Sequence, residues 1–264
     1  DMTQSPAPTL FVFPYDFRLP IDVTARRLAE YVECVRQIHP GAQVDILAHS
    51  MGGLVARRYI LDHSSDHHVR RMITLGSPWL GAPKLLNALK TGDFDLLVNL
   101  LLVDKDALKD LVATWPGAHA LLPSKRYVEE ASPLFPGPPF REDGWDVNGN
   151  GNSKESYDYA ALKSWLDEKD YPKTKPMTIN EGFHGVAGQD DWTDAGAGVE
   201  YHHIVGIAPG TVTHLFARQF CFLGLFGCDT GWFDVHADPA IGPVLATMGD
   251  GTVPHWPSGT GNTI

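Results

Sequence analysis

The segment Val44–Leu54, reading VDILAHSMGGL, constrains this chain more than any other stretch. An apolar run (Val44, Ile46, Leu47) leads into Ala48-His49-Ser50-Met51-Gly52-Gly53, and an amphipathic LVARRYIL follows. The pattern predicts strand, sharp turn and helix, with a serine at the turn. Ala48 and Gly52 flank Ser50 at minus two and plus two, where large side chains would collide. This is the pattern of a nucleophile elbow, which strains the serine backbone and lifts its hydroxyl above the sheet edge. The following helix aims its unpaired N–H groups at any oxyanion forming there. Alanine rather than glycine at the first flank adds a methyl at a crowded point. A buried serine in an ordinary strand-to-helix turn is the bland alternative for so short a motif. The predicted strand before it and helix after it favour the nucleophile.

The surrounding periodicity extends the pattern. Leu10–Phe13 reads as a short strand ended by Pro14. Val23–Ile38 carries Val23, Leu28, Tyr31, Val32, Val35 and Ile38 at helical spacing, with Asp22 or Thr24 as a cap and Pro40-Gly41 as the stop. Helix over 53–62 and strand over Val69–Leu75 complete β-α-β-α-β. Such alternation implies an α/β fold: a mostly parallel sheet with right-handed crossovers and helices on both faces. The alternation then stops. Residues 84–112 are leucine-rich and helical, 116–139 are rich in turns, and 157–168 form a further helix. Regularity returns in Glu200–Ile207. We therefore expect a core built from 1–83 and 196–264, with 84–195 inserted as a helical cap or lid; ordinary peripheral helices are the alternative.

Composition excludes some functions. With 32 acidic against 21 basic residues, the net charge of −11 opposes a nucleic-acid partner and tight electrostatic attachment to an anionic membrane. No run of about 20 apolar residues provides a membrane span. Cys34 lies in a helical pattern and reads as a small core residue. Cys221 and Cys228 bracket FLGLFG; a disulfide between them is sterically possible and would mark a secreted or extracytoplasmic protein, while two free thiols are the alternative.

A serine hydroxyl is a poor nucleophile until a base takes its proton, and the base needs an acid to orient it. Asp250 follows an apolar segment and sits between two glycines, on a tight loop where its carboxylate can point into a site; a β-turn aspartate is the alternative. His255 is the one histidine after Asp250, but five residues is too close for acid and base drawn from different loops. His49, beside the serine, points elsewhere in an elbow. His63, His67 and His68 read as a solvated loop, His202 and His203 alternate on a strand so that at most one faces a site, and His184 has no assignable role. Asp146, Asn148 and Asn150 have the alternate-oxygen spacing of a calcium loop, but the twelfth position is Tyr157, where a glutamate is expected. Successive Asx turns are the safer reading, and no metal or other cofactor is called for.

Four blocks now stand in order: PYDFR at 14–18, AHSMGG at 48–53, LGSPWLGAPK at 75–84 and GDGTVP at 249–254. Together they resemble the lecithin:cholesterol acyltransferase-like branch of the α/β-hydrolases, which includes lipases, esterases, phospholipases and acyltransferases. The resemblance implies that Ser50 is the nucleophile, that Asp250 is the acid and that the Met51 N–H serves the oxyanion. It implies that Tyr15, Asp16, His49 and Trp79 lie at the substrate pocket, with Trp79 at its mouth. The family's histidine normally follows the acid by a few tens of residues, which lies beyond Ile264, and its His-Gly oxyanion loop precedes a PYDFR block. Neither is visible, so the resemblance implies truncation at both ends. The expected activity is hydrolysis of a carboxylic ester, of a lipid, through an acyl-serine. Passing the acyl group to an alcohol is the alternative enzyme, and a non-catalytic binding protein the alternative of another class. Transient contact with a lipid surface goes with such a substrate.

Overall fold

The computed structural model describes residues 7–92, 104–134, 140–142, 156–191, 193–196, 198–206, 215–221 and 228–234. Asp250, His255 and the Asp146–Asn150 loop lie outside the described residues. Three strands, β1 (Val44–His49), β2 (Val69–Leu75) and β5 (Glu200–Ile204), form a parallel sheet in the order β1-β2-β5. Helix α1 (Ile21–Ile38) precedes β1 and helix α2 (Met51–Asp62) connects it to β2. The architecture is α/β, as the alternation implies.

The core forms where α1 and α2 meet the sheet. Ile21, Ala25, Leu28 and Val32 of α1 are buried with Ala48 of β1, Leu54, Val55 and Tyr59 of α2, and Met72 of β2. The opposite face of the sheet carries the outward row Asp45–Arg71–Glu200, joined by register and by ion pairs from Arg71 to both carboxylates. Exposed pairs of this kind contribute little stability, about 0–1 kcal/mol each.

Beyond residue 82 a second cluster gathers. Helices α3 (Pro83–Thr91), α4 (Lys105–Val112), α5 (Pro116–His119), α6 (Lys125–Leu134), α7 (Tyr159–Ser164) and α8 (Pro176–His184) follow one another, with a π-helical turn over Trp165–Asp170. Leu86, Leu89, Leu122, Phe140, Tyr157, Leu162, Trp165 and Met177 pack as one buried group. A second sheet runs β4-β3-β6-β7, from β3 (Phe140–Glu142), β4 (Ser156–Tyr157), β6 (Leu215–Cys221) and β7 (Cys228–Asp234). Its β3–β6 pair joins the middle of the chain to the segment after β5.

Several expectations change. Leu10–Phe13 is not a strand. Among the described residues no strand pairs with it; its Val12 carbonyl instead accepts from Tyr31 Oη at 2.9 Å, and β propensity without a ladder partner gives only extended chain. Helix α1 begins at Ile21 behind Pro20, with no side-chain cap. Within residues 116–139, read as rich in turns, lie α5, which opens on Pro116, and α6. Cys34 is exposed, because the buried face of α1 is set by Leu28, Val32 and Val35. His67 is buried, not solvated: its Nδ1 accepts the Val69 N–H at 2.9 Å at the start of β2.

Buried polar groups anchor the connections. Arg57 of α2 is 3% exposed and donates to the Gly188 carbonyl at 2.9 and 2.7 Å and to the Asp194 carbonyl. Burial pulls its ionisation below the usual arginine value, and the Asp191 and Asp194 carboxylates offset part of that. Asp167 accepts from the N–H groups of Met177 and Thr178 and from the Thr178 hydroxyl, which fastens the start of α8. Replacing Arg57 with alanine strands buried carbonyls of the 188–194 loop. We expect a loss of about 3 kcal/mol in urea unfolding, with Arg57→Lys recovering only part of it because an ammonium lacks the planar fork.

Candidate active site

Ser50 sits between β1 and α2 at the carboxyl end of the parallel sheet, where ligands bind in open α/β folds. Its backbone has φ 52° and ψ −128°, a conformation that L-residues other than glycine seldom adopt and that costs about 1–3 kcal/mol. Two hydrogen bonds hold it: the Ser50 N–H donates to Leu75 O at 2.9 Å, and Ser50 O accepts from Gly53 N–H at 3.0 Å. The first ties the turn to the end of β2 and the second closes the first turn of α2. Met51 is the first helical residue, so its N–H has no intrahelical acceptor.

The spatial demand on the small residues differs from the sequence expectation. A Cβ on Gly52 would meet Ala48 Cβ at 3.6 Å and Tyr15 Oη at 3.7 Å, which is ordinary contact. The Ala48 methyl is therefore accommodated. A Cβ on Gly53 would instead overlap the Ser77 hydroxyl, lie 2.7 Å from Ser77 Cβ and 3.3 Å from Thr74 Cγ2. The residue that must be glycine is thus Gly53, because α2 crosses the β2 end there. Ser77 is 2% exposed, and its Oγ has no hydrogen-bond partner among the described residues. Sequence reading singled out its block but not this serine; its spacing to Gly53 is a tertiary fact.

The other candidate residues fall as follows. Tyr15 approaches the elbow at Gly52, and burial raises its phenol above the usual tyrosine value. Asp16 is gripped by Arg18, with Nε to Oδ1 at 2.8 Å, Nη2 to Oδ2 at 2.7 Å and the backbone N–H to Oδ1 at 3.1 Å. These bonds hold the carboxyl at about 2. Arg18 O accepts from Gly117 N–H at 3.1 Å, which fastens this loop to α5. His49 is exposed on the outer face of β1. Trp79, expected at the pocket mouth, is 5% exposed, with its ring edge-on to Tyr201 at 6.2 Å and His203 at 6.0 Å.

The histidines divide sharply. His203 faces inward, its Nδ1 2.8 Å from Thr74 Oγ1, whereas His202 faces outward to Glu200 at 2.8 Å. His184, without a role in the sequence reading, is buried between Asp190 Oδ1 at 2.5 Å and Ala120 O at 2.8 Å. Both ring nitrogens are engaged, so it is a structural bridge between α8, the 190 loop and the end of α5. Among the described residues no histidine hydrogen-bonds to the Ser50 hydroxyl, and no group of three or more His, Cys, Asp or Glu is arranged for a metal. No helix among them is long and apolar enough to cross a membrane.

Two outcomes check this geometry. Gly53→Ala should destabilise by about 1–3 kcal/mol through overpacking against Ser77, while Gly52→Ala stays within about 1 kcal/mol, both read by urea unfolding. The Asp16–Arg18 contribution is complete above the ordinary carboxyl value of 3.8 and is lost as pH falls toward about 2. The stability difference between the parent and Asp16→Asn should accordingly be flat above about pH 5 and shrink below 3.8.

Known proteins resemble this chain in fold and in sequence. A chain of the Tle4–Tli4 complex superposes with TM-score 0.54 over 94% of this chain and 54% of its own, at 18% identity, which shows a common fold. Lysosomal phospholipase A and acyltransferase of Bos taurus is 27% identical over 156 residues, covering 51% of this chain and 37% of that protein. Phosphatidylcholine-sterol acyltransferase of Gallus gallus is 26% identical over 154 residues, covering 52% and 37%. Phospholipase A(1) LCAT3 of Arabidopsis thaliana is 35% identical over 83 residues, covering 30% and 19%. The chain thus spans little more than a third of these relatives at most. The family model for lecithin:cholesterol acyltransferase matches residues 3–192, which include the elbow, PYDFR and SPWLG blocks. This chain belongs to the lecithin:cholesterol acyltransferase family.

Proposed function

We propose that this chain carries the nucleophile of a serine hydrolase that cleaves carboxylic esters of lipids. The observation that carries the reading is Ser50 in a strained, positive-φ turn at the N-terminus of α2. A buried serine of no chemical use gains nothing from that strain. Ser50 Oγ attacks the ester carbonyl, and the Met51 N–H with the α2 dipole receives the oxyanion. Asp250 orients a histidine base and stabilises its charge. The acyl-serine then passes to water. The region 84–195, leucine-rich over 84–112, serves as a cap over the acyl chain.

The names of two relatives, each including acyltransferase, favour a second acceptor, an alcohol in place of water. The chemistry up to the acyl-serine is the same, so the two readings share the elbow and differ in what enters afterwards.

A fluorophosphonate probe on the full-length protein tests the nucleophile. Labelling should map to Ser50 and vanish in Ser50→Ala, whose ester turnover should fall by about 10⁴-fold or more. Labelling at another residue would overturn the assignment of Ser50, and none in a protein that still binds lipid ester would support the non-catalytic binding protein. Product analysis with and without a long-chain alcohol separates hydrolysis from acyl transfer.

A further inference from the structure

Two cysteines that the chemistry at Ser50 does not use stand opposite each other in the second sheet. Strand β6 ends at Cys221 and β7 begins at Cys228. Their antiparallel ladder runs without a register shift from Leu215↔Asp234 to Cys221↔Cys228, so the cysteines form its last pair. Directly opposed residues in such a ladder have Cα atoms about 4.5–5.5 Å apart. A disulfide spans about 4.4–6.8 Å. The register is set from two sides, because β6 also pairs with β3 through Phe140↔Leu215, Arg141↔Phe216 and Glu142↔Ala217. The third cysteine, Cys34, is a free, exposed thiol on α1.

We propose that Cys221 and Cys228 form a reversible disulfide clip that closes the β6–β7 hairpin. The oxidant is a low-molecular-weight disulfide. One cysteine thiolate attacks it and releases a small thiol, giving a mixed disulfide. The second cysteine thiolate attacks the protein sulfur of that mixed disulfide, forms the Cys221–Cys228 bond and displaces the second small thiol. The two protein thiols are oxidised and the small disulfide is reduced to two thiols, which take up the protons. A dithiol reductant runs the sequence backward. The clip closes the loop end of the hairpin, the end opposite the Leu215↔Asp234 pair.

The test uses the full chain in a Cys34→Ser background, so that only the opposed pair can react. After exposure to glutathione disulfide, the protein is denatured and treated with iodoacetamide, with and without prior dithiothreitol. Without reductant we expect no alkylation, no glutathione adduct, and a peptide pair holding both cysteines that is lighter by two hydrogen atoms than its reduced form. With reductant both cysteines alkylate. The oxidised protein should melt about 5 °C above the reduced one, and Cys221→Ser should abolish that difference. Alkylation of both cysteines in the oxidised sample, a stable glutathione adduct on either, or a melting shift that survives Cys221→Ser overturns the proposal.

Discussion

The close crossing of α2 over the end of β2 is the constraint on which this site depends. At Gly53 the helix comes so near Ser77 and Thr74 that no side chain fits. That approach fixes where α2 begins, and hence how tightly the chain must turn after β1. Ser50 takes up the turn, held by the Leu75 carbonyl on one side and the Gly53 amide on the other. Backbone strain at a serine is unfavourable in isolation. It persists because the ladder and the packed helix together over-determine the position.

Around this rigid element the longer connections are held by polar anchors more than by regular structure. Arg57 reaches from α2 to the carbonyls of Gly188 and Asp194, and His184 links Asp190 to the end of α5. Asp16 and Arg18 brace each other while Arg18 O fastens their loop to Gly117. Buried or half-buried irregular chain needs partners for its peptide groups, and these side chains supply them. The same segments carry Tyr15 to the elbow, so anchoring the loops and shaping the site are one task.

The parts legible in the sequence are local. Strand β2 runs over Val69–Leu75 as its residues predict, and α2 follows the elbow directly. What misled was any feature that depends on a neighbour. Leu10–Phe13 has strand composition but no ladder partner among the described residues. Cys34 has helical spacing but lies off the buried face that Leu28 and Val32 define. His184 had no signal at all, because its partners Asp190 and Ala120 are brought to it by the packing of α8.

The sequence by itself determined the strand–serine–helix turn, the α/β alternation and the family, since each rests on residues close in the chain or on blocks in a fixed order. The tertiary structure alone decided that Gly53 rather than Gly52 is the indispensable small residue. It also turned His203 inward and His202 outward, and brought Cys221 opposite Cys228. Those outcomes turn on which surfaces approach within a few ångströms, and close approach between elements distant along the chain is settled by packing, not by local pattern.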